Sequence, residues 1–479
     1  VTLTDEDYAR FRDLVLERSG LFFPEPKRKV LVQGLSEALE VSASDGLSSY
    51  YELLRSNPPT HPEWDRLVGC LTVGETYFFR NKGHFDALAN RILPEIIAHR
   101  QHSNRRIRIW CAGCATGEEP YSIAILLHEL IPHLASWNIL LLATDINRDA
   151  MRRARDGVYR SWSFRGTNQN LQERYFQPQG TRFAIRNDIK EMVSFDYLNL
   201  VEDGYPSLSS RTSGMDLILC RNVTIYFSPE VTQQVVNRLF NCLVEGGWYI
   251  PGASEPNMVT YRAFEQQTFP RAAVYRKPVA TQLPAAPRLP VSTAGVPAPS
   301  SPALVPPASA SEPPHVDLLA DAQGLMEMGQ VEEAQATLYR KLDQDPHHIP
   351  THCLLGRLYA NQGNLEEARH WCEQAIERDK LQPEPHFLLS LIHQANGHTE
   401  LAVDALKKTI YLDPDFILAH YTLGTLYQQQ GNRSLAQRSF RNAGQLMASR
   451  PRDEPVPSAD GLLVGRLQEL IELALDQPD

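Results

Sequence analysis

Apolar and polar positions follow three different rhythms along this chain, and each rhythm predicts its own architecture. Over the first 70 residues apolar side chains recur at three- and four-residue spacing in Asp5–Arg18, Lys27–Leu39, Ser48–Leu54 and Pro62–Leu71, a pattern that reads as helices only. Thr4 before Asp5-Glu6-Asp7 is an N-cap with acids in the first turn. From about residue 85 to residue 277, short β-prone runs alternate with helical stretches, which predicts an α/β sheet with helices on its faces. The strands fall at Arg106–Cys111, Ile139–Thr144, Met192–Asp196, Met215–Cys220, Gly247–Pro251 and Ala272–Arg276. Tyr175–Glu191 reads as a small hairpin turning at Asn187-Asp188, inserted into the sheet domain.

Past residue 314 the rhythm becomes a repeat. Gly329, Gly363, Gly397 and Gly431 stand 34 residues apart, and each is followed five residues later by Ala334, Ala368, Ala402 or Ala436. That period with those anchors is the tetratricopeptide signature. Leu355-Gly356 with Tyr359, and Gly424 with Tyr427 and Phe440, add to it. Each repeat is a helix pair that buries its apolar face only against its neighbours, and Asp460–Leu475 reads as the helix capping the last one. Residues 278–314 hold eleven prolines among alanine and serine with almost no charge, the composition of an extended, semi-rigid linker. The predicted fold is multi-domain: an all-α N-terminal domain (1–70), an α/β Rossmann-like domain (71–277) with a β insertion at about 170–193, the linker (278–314), an α-solenoid of four repeats (315–450) and a capping helix (451–479).

Composition narrows the setting. A length of 479 residues suits about three domains. The formal charge of −10 disfavours nonspecific nucleic-acid binding, which rests on lysine and arginine neutralising phosphates. Lys27-Arg28-Lys29 is the one basic cluster of the helical domain and reads as a solvated helix face rather than a docking site. No apolar run approaches the roughly 20 residues that cross a bilayer, and no basic-then-apolar leader opens the chain. Seven scattered cysteines argue against a disulfide framework. The expectation is a cytoplasmic protein without membrane insertion.

Chemistry concentrates in Trp110–Ala124, WCAGCATGEEPYSIA, where a strand end, a small-residue loop and an acidic helix start meet. The loop has neither G-x-G-x-x-G spacing nor G-K-[ST], so dinucleotide and nucleoside-triphosphate cradles are poorly supported. Glu118 and Glu119 at a helix N-terminus repel phosphate. Asp145, at the end of the next strand, is placed to accept from ribose hydroxyls. A cationic, phosphate-free nucleoside fits, and S-adenosylmethionine is such a ligand. The Cys111-Ala-Gly-Cys114 pair offers a thioredoxin-like redox alternative, but the cysteines read better as packing residues of the turn.

This block, the upstream Glu75-Thr76-Tyr77-Phe78-Phe79-Arg80 and the downstream Cys220-Arg221-Asn222-Val223-Thr224-Ile225-Tyr226-Phe227 together resemble the CheR family of chemoreceptor glutamate methyltransferases over about residues 1–277. The repeats resemble its WspC-like and Frz-type subgroup, which serves alternative chemosensory pathways in motility and biofilm formation. The resemblance implies S-adenosylmethionine as cofactor, with Thr76 and Arg80 at the cofactor, Glu119 facing its methionine amino group and Asp145 on the ribose. It places Asn199-Leu200 beside the adenine and Arg221-Asn222 along the cofactor pocket, and Arg80 with Tyr226 at the methyl-transfer centre as catalytic residues. One position departs: Gly74 stands where the family usually has asparagine. The implied substrate is the cytoplasmic helical domain of membrane chemoreceptors, with a further protein or peptide partner for the repeat groove. No Asn/Asp-Pro-Pro-aromatic tetrad follows the fourth strand, which disfavours nitrogen methylation. The remaining alternatives are a methyltransferase on another substrate and a non-catalytic adaptor acting through its repeats; the repeats are expected to supply a second receptor contact, or instead to bind a regulatory partner or the enzyme's own catalytic domain.

Two further departures bear on the substrate. Gln33-Gly34-Leu35-Ser36-Glu37-Ala38 replaces the arginines usual on the second helix, and the insertion's turn, read at Arg186–Lys190, is short for gripping a receptor's peptide tether.

Overall fold

The computed structural model describes residues 3–59, 61–202, 204–255, 259–279, 317–327, 330–452, 454–459 and 462–475. The linker from residue 280 onward and the repeat anchor Gly329 lie outside the described residues.

The chain opens on α1 (Asp5–Ser19), α2 (Arg28–Val41), α3 (Leu47–Ser56) and α4 (Pro62–Leu71). Thr4 Oγ1 accepts from Asp7 N at 3.1 Å, and Pro62 starts α4 where its missing N–H has no helical partner to lose. The apolar stripes converge on Phe11, Leu31, Leu35, Tyr50, Leu54, Trp64 and Leu67, a small core of its own. Arg28 of the basic cluster pairs with Asp5 and Glu25 and stacks over Tyr8, so it serves its own domain.

Two helices, α5 (Lys82–Ala87) and α6 (Leu93–Gln101), lead into β1 (Arg106–Ala112), α7 (Glu118–Leu130), β2 (Asn138–Asp145) and α8 (Arg148–Asp156). Then come β3 (Val158–Arg160), α9 (Gln169–Tyr175), β4 (Phe176–Gln179), β5 (Arg182–Ile185) and α10 (Asn187–Lys190). The domain closes with β6 (Val193–Tyr197), β7 (Met215–Cys220), α11 (Pro229–Cys242), β8 (Leu243–Pro251), β9 (Glu265–Phe269) and β10 (Ala272–Arg276). The main sheet runs β6-β2-β1-β7-β8-β10-β9. Its first five strands are parallel, and β10 and β9 join antiparallel. β1 and β7 are buried along nearly their whole length because helices cover both faces. The chain leaves β1 toward β2 and β6 and then returns to β7 on the other side. That reversal opens a crevice beyond the carboxyl ends of β1 and β7, where ligands of open α/β sheets bind.

The insertion corrects the sequence reading. Its hairpin turns between Gln179 and Arg182 at Gly180, whose φ of +59° suits a tight turn, while Asn187-Asp188 open the helix α10. Asn and Asp favour helix starts as much as turns, and Gly180 between two polar neighbours was the stronger turn signal. The segment Arg186–Lys190 is therefore not the insertion's turn. β3 joins β5 to make a three-stranded sheet. β9 also escaped the periodicity, because its Glu265-Gln266-Gln267-Thr268-Phe269 is an exposed edge strand with no buried face.

The repeats form α12 (Leu318–Glu327) with α13 (Val331–Gln344), α14 (Ile349–Asn361) with α15 (Leu365–Arg378), α16 (Pro383–Ala395) with α17 (Thr399–Leu412) and α18 (Ile417–Gln429) with α19 (Arg433–Met447). The last helix, α20 (Val464–Leu475), packs on α19. Among the described residues no helix is long and apolar enough to cross a membrane.

Candidate active site

The crevice at the sheet's reversal holds a cleft in two parts. The larger, with about 690 Å³ of empty space, is bounded by Asp145-Ile146-Asn147 after β2, Leu198-Asn199-Leu200 after β6 and Val223, Tyr226 and Phe227 after β7, with Ser19 and Leu21 reaching in from the helical domain. The smaller, about 430 Å³, is polar and bounded by Glu75, Thr76, Arg80, Glu119 and Arg221. Val73, Gly113, Ala115 and Asn222 belong to both walls, so the parts adjoin.

Gly113 makes the junction possible. Its φ is +80°, and a Cβ there would lie 2.3 Å from Val223 Cγ2. Gly117, at φ +90°, lets the start of α7 approach α8: a Cβ would sit 2.9 Å from Ala154 Cβ. Asp145 receives the loop. Its two oxygens accept from Ala115 N and Asn147 N, both at 2.8 Å, which uses one lone-pair site on each and leaves others for ligand hydroxyls. Burial still pushes its carboxyl up, against the pull of these N–H groups.

The two acids of α7 divide their work. Glu118 is buried and accepts from Thr116 Oγ1 at 2.6 Å and Ser163 Oγ at 3.0 Å, so it serves the fold. Glu119 faces the polar part and meets Arg221, Nη1 to Oε2 at 2.9 Å. Burial pushes the Glu119 carboxyl up although Arg221 pulls it down, and Arg221 Nε is itself buried without a hydrogen-bond partner. A ligand ammonium there would lower the cost of keeping Glu119 charged.

Arg221 also donates from Nη2 to Arg80 O at 2.6 Å, tying the end of β7 to the Glu75–Arg80 segment. That segment is anchored by Phe78, fully buried among Tyr159, Phe164 and Phe176 at centroid distances of 4.8–5.1 Å. The insertion thus carries the loop that bears Thr76 and Arg80. Arg80 donates to Glu75 O, and its charge is felt by Tyr226, whose hydroxyl burial pushes up. His84 nearby is buried with its pKa lowered to about 4 by desolvation, with the Arg221 charge adding to it.

Asn199 lines the larger part, but its amide is committed: Nδ2 donates to Arg18 O at 2.9 Å and Glu202 Oε1 at 3.1 Å. It joins α1 to the cleft wall, while Leu200 is buried behind it. Gly74 opens onto the cleft, with no atom within 4 Å of where a side chain would begin. Cys111 and Cys114 are buried and unbridged, with thiols that burial pushes well up, as packing residues should be.

Sequence reasoning missed Glu255. Its carboxylate accepts from Gly252 N, Asn222 N at 2.8 Å, Val223 N at 3.0 Å and Thr224 Oγ1 at 2.8 Å. These bonds hold the turn in which Asn222 takes φ +60° and from which Tyr226 projects. The missed signal was the one that picked out Asp145: an acid just beyond an apolar strand needs donors.

The chain matches the CheR methyltransferase, SAM binding domain over residues 74–272 and the CheR methyltransferase, all-alpha domain over 6–72. It is 31% identical over 280 residues to a chemotaxis protein methyltransferase of Borreliella burgdorferi, covering 58% of this chain and 96% of that one. The chain belongs to the CheR methyltransferase family. Chemotaxis protein methyltransferase 2 of Vibrio cholerae is 30% identical over 58% of this chain and 95% of its own length, and chemotaxis protein methyltransferase 1 of Pseudomonas aeruginosa 31% over 53% and 92%. Tetratricopeptide repeats match residues 325–392 and 383–416. Among solved structures, MamA from Desulfovibrio magneticus RS-1 is similar over 28% of this chain and 75% of that one at 20% identity, with a TM-score of 0.25. The protein is thus an S-adenosylmethionine-dependent methyltransferase of the CheR type carrying C-terminal repeats. The cleft thus has an apolar part beside Asp145 and a polar part that holds Glu119.

Proposed function

We propose that this enzyme methylates glutamate side-chain carboxylates on the cytoplasmic helical domain of membrane chemoreceptors, working in the cytoplasm and tuning a chemosensory pathway of the kind that governs motility or biofilm formation. The observation that supports the reading is that Arg80 and Tyr226 line adjoining parts of one cleft, a cation and a hydroxyl suited to a carboxylate acceptor.

S-adenosylmethionine, when bound, supplies an electrophilic methyl group on a sulfonium. Thr76, Glu119 and Arg221 would hold its amino-acid end, Asp145 its ribose, and the Asn199-Leu200 wall its base, with Asn222 at the bend between them. A glutamate with an ordinary pKa near 4.3 is ionised at neutral pH, so the acceptor needs no general base. The work left to the protein is alignment of the carboxylate and exclusion of water. Arg80 and Tyr226 orient the acceptor through its two oxygens. Charge is consumed in the step, so strong ion pairing to the carboxylate would slow it, and a half-buried hydroxyl beside a single arginine is the better compromise.

The experiment is methyl transfer from labelled cofactor to purified receptor cytoplasmic domains, followed by peptide mapping. Label should fall on glutamates and vanish when those glutamates are replaced by alanine. Label that persists on the substituted receptor would overturn the acceptor assignment.

A further inference from the structure

The repeats lie against the methyltransferase domain at three separate places. At the rear of the sheet, the turn of the second repeat meets the entry to β7: a Cβ on Gly214 would lie 3.0 Å from Gly363 Cα, and one on Gly363 would lie 3.4 Å from Val244 Cγ1. Beside it, Asn138 at the start of β2 donates from Nδ2 to Ala395 O at 3.4 Å, and a Cβ on Gly397 would meet Asn138 Nδ2 at 2.8 Å. The corresponding turn glycine of the fourth repeat, Gly431, has nothing within 4 Å. Of the described turn glycines, those of the second and third repeats therefore touch the sheet domain and that of the fourth does not.

The second place is the connection between β6 and β7. Leu208, at its middle, is buried and belongs to the apolar core of the repeats, with Cys353, Phe387, Leu391 and Leu418. The burial pattern of the repeats explains why it is received there. Second helices bury a single stripe, such as Leu365, Ala368, Cys372 and Ala375 in α15. First helices are buried on consecutive positions, Thr351–Gly356 in α14, Pro385–Leu388 in α16 and Ile417–His420 in α18. Six consecutive helical positions sample every face, so α14 is covered all round over that stretch.

The third place is beside the cofactor cleft. Arg148, the first residue of α8 and three positions after Asp145, pairs through Nε with Asp65 of α4 at 2.8 Å and through Nη2 with Glu469 of α20 at 2.9 Å. Its guanidinium lies 4.1 Å over the Tyr197 ring. Both partners of the Arg148–Glu469 pair are mostly buried, at 17% and 14% side-chain exposure, and the contact is an ion pair rather than a hydrogen bond, since Arg148 Nη2 has no hydrogen-bond partner.

We propose that the repeat array is a ligand-binding surface whose resident ligand is its own methyltransferase domain, gripped at the β6–β7 connection by the repeat core and at the Arg148 corner by α20. Because both bodies belong to one chain, docking is intramolecular and even a modest interface is well populated. An outside partner of the repeats must then present a leucine in a small polar setting, the chemistry of Ser207-Leu208-Ser209-Ser210, and displace the resident segment to bind. Because α8 carries both Arg148 and the floor of the cleft, release of the array and cofactor affinity are linked, and the linkage is reciprocal. The inference goes beyond the acceptor assignment and stands whatever the acceptor is.

Hydrogen exchange on the full-length chain tests it, comparing wild type with Leu208→Asp and, separately, Glu469→Arg. The wild type should protect residues 206–214 and 395–398 together. Leu208→Asp should speed exchange at 395–398 and along α14 and α16 by about tenfold, within the range found for coupled neighbours. Glu469→Arg should do the same at the start of α8, and S-adenosylhomocysteine should partly reverse it. If either variant unfolds, a free peptide spanning residues 204–214, added to wild type, should raise exchange at 395–398. Unchanged exchange at 395–398 in every folded case, or solution scattering of wild type that fits two undocked bodies, would overturn the proposal.

Discussion

Three side chains in the cleft have separable duties. Asp145 holds the loop after β1 through Ala115 N as well as lining the larger part of the cleft, and on the proposed cofactor placement Asp145→Ala should abolish measurable cofactor binding by calorimetry. It also leaves two N–H groups short of an acceptor, at a stability cost of about 1–3 kcal/mol each. Tyr226→Phe keeps the ring and removes the hydroxyl; kcat should fall by about a hundredfold with cofactor affinity within a factor of two or so, as for a lost positioning contact. Equal losses in both constants would move Tyr226 into the cofactor site. Glu119 gives a pH signature. Burial raises its carboxyl, so its charge is lost on acidification sooner than for an ordinary glutamate, and cofactor affinity should weaken as pH falls through that raised value. Glu119→Gln should bind weakly with a flat profile. His84 acts on stability with the opposite partner state. Its folded pKa of about 4 lies below the ordinary 6.5, so the unfolded chain binds the extra proton between them. Stability is full above pH 6.5 and falls on acidification toward pH 4, by about 3 kcal/mol at most, and His84→Gln should flatten that slope in denaturant titrations.

Among elements, the turn after β7 depends on a residue far along the chain. Glu255→Ala leaves the N–H groups of Gly252, Asn222 and Val223 without their acceptor and should unseat Tyr226 as well as lower the melting temperature. Glu255→Gln keeps an acceptor oxygen and should retain most of the stability but not all of the rate. The elements that sequence periodicity marked were those with a buried face: α4, α7 and β7 begin and end where their apolar runs do. β9 and the insertion's true turn escaped because neither has such a face; a polar edge strand and a Gly180 turn carry almost no periodic signal. The cleft residues were legible for another reason. Asp145, Glu119 and Arg221 are charged groups at strand or helix ends, where burial demands a partner, and the motif resemblance drew attention to them. Glu255 met the same physical criterion without a motif to draw attention to it. Asn199 shows the converse: its position lines the cleft, but its amide is spent on Arg18 and Glu202, partners that only the fold brings to it.

At the scale of the whole molecule, two bodies joined by a proline-rich segment meet over a surface that no local pattern encodes. Leu208 reads in sequence as one apolar residue in a serine-rich loop, and its burial follows only from the docked repeats. The relatives align over almost their whole length with 58% of this chain, and the family's two domains match residues 6–72 and 74–272, so the catalytic part has the extent of a whole enzyme in that family. The repeats are an addition to an already complete cleft. Their contribution should accordingly appear in the targeting or timing of methylation rather than in the bond formed.

That chemistry is the central claim, and the bond formed tests it most directly. The full-length protein is incubated with methyl-labelled S-adenosylmethionine and a receptor cytoplasmic domain, and the labelled receptor is exposed to mild base. A methyl ester of a carboxylate hydrolyses and releases the label as volatile methanol, which is the predicted result. Label that stays on the receptor through base treatment would mean a methylated nitrogen or another stable bond, and would contradict carboxylate methylation.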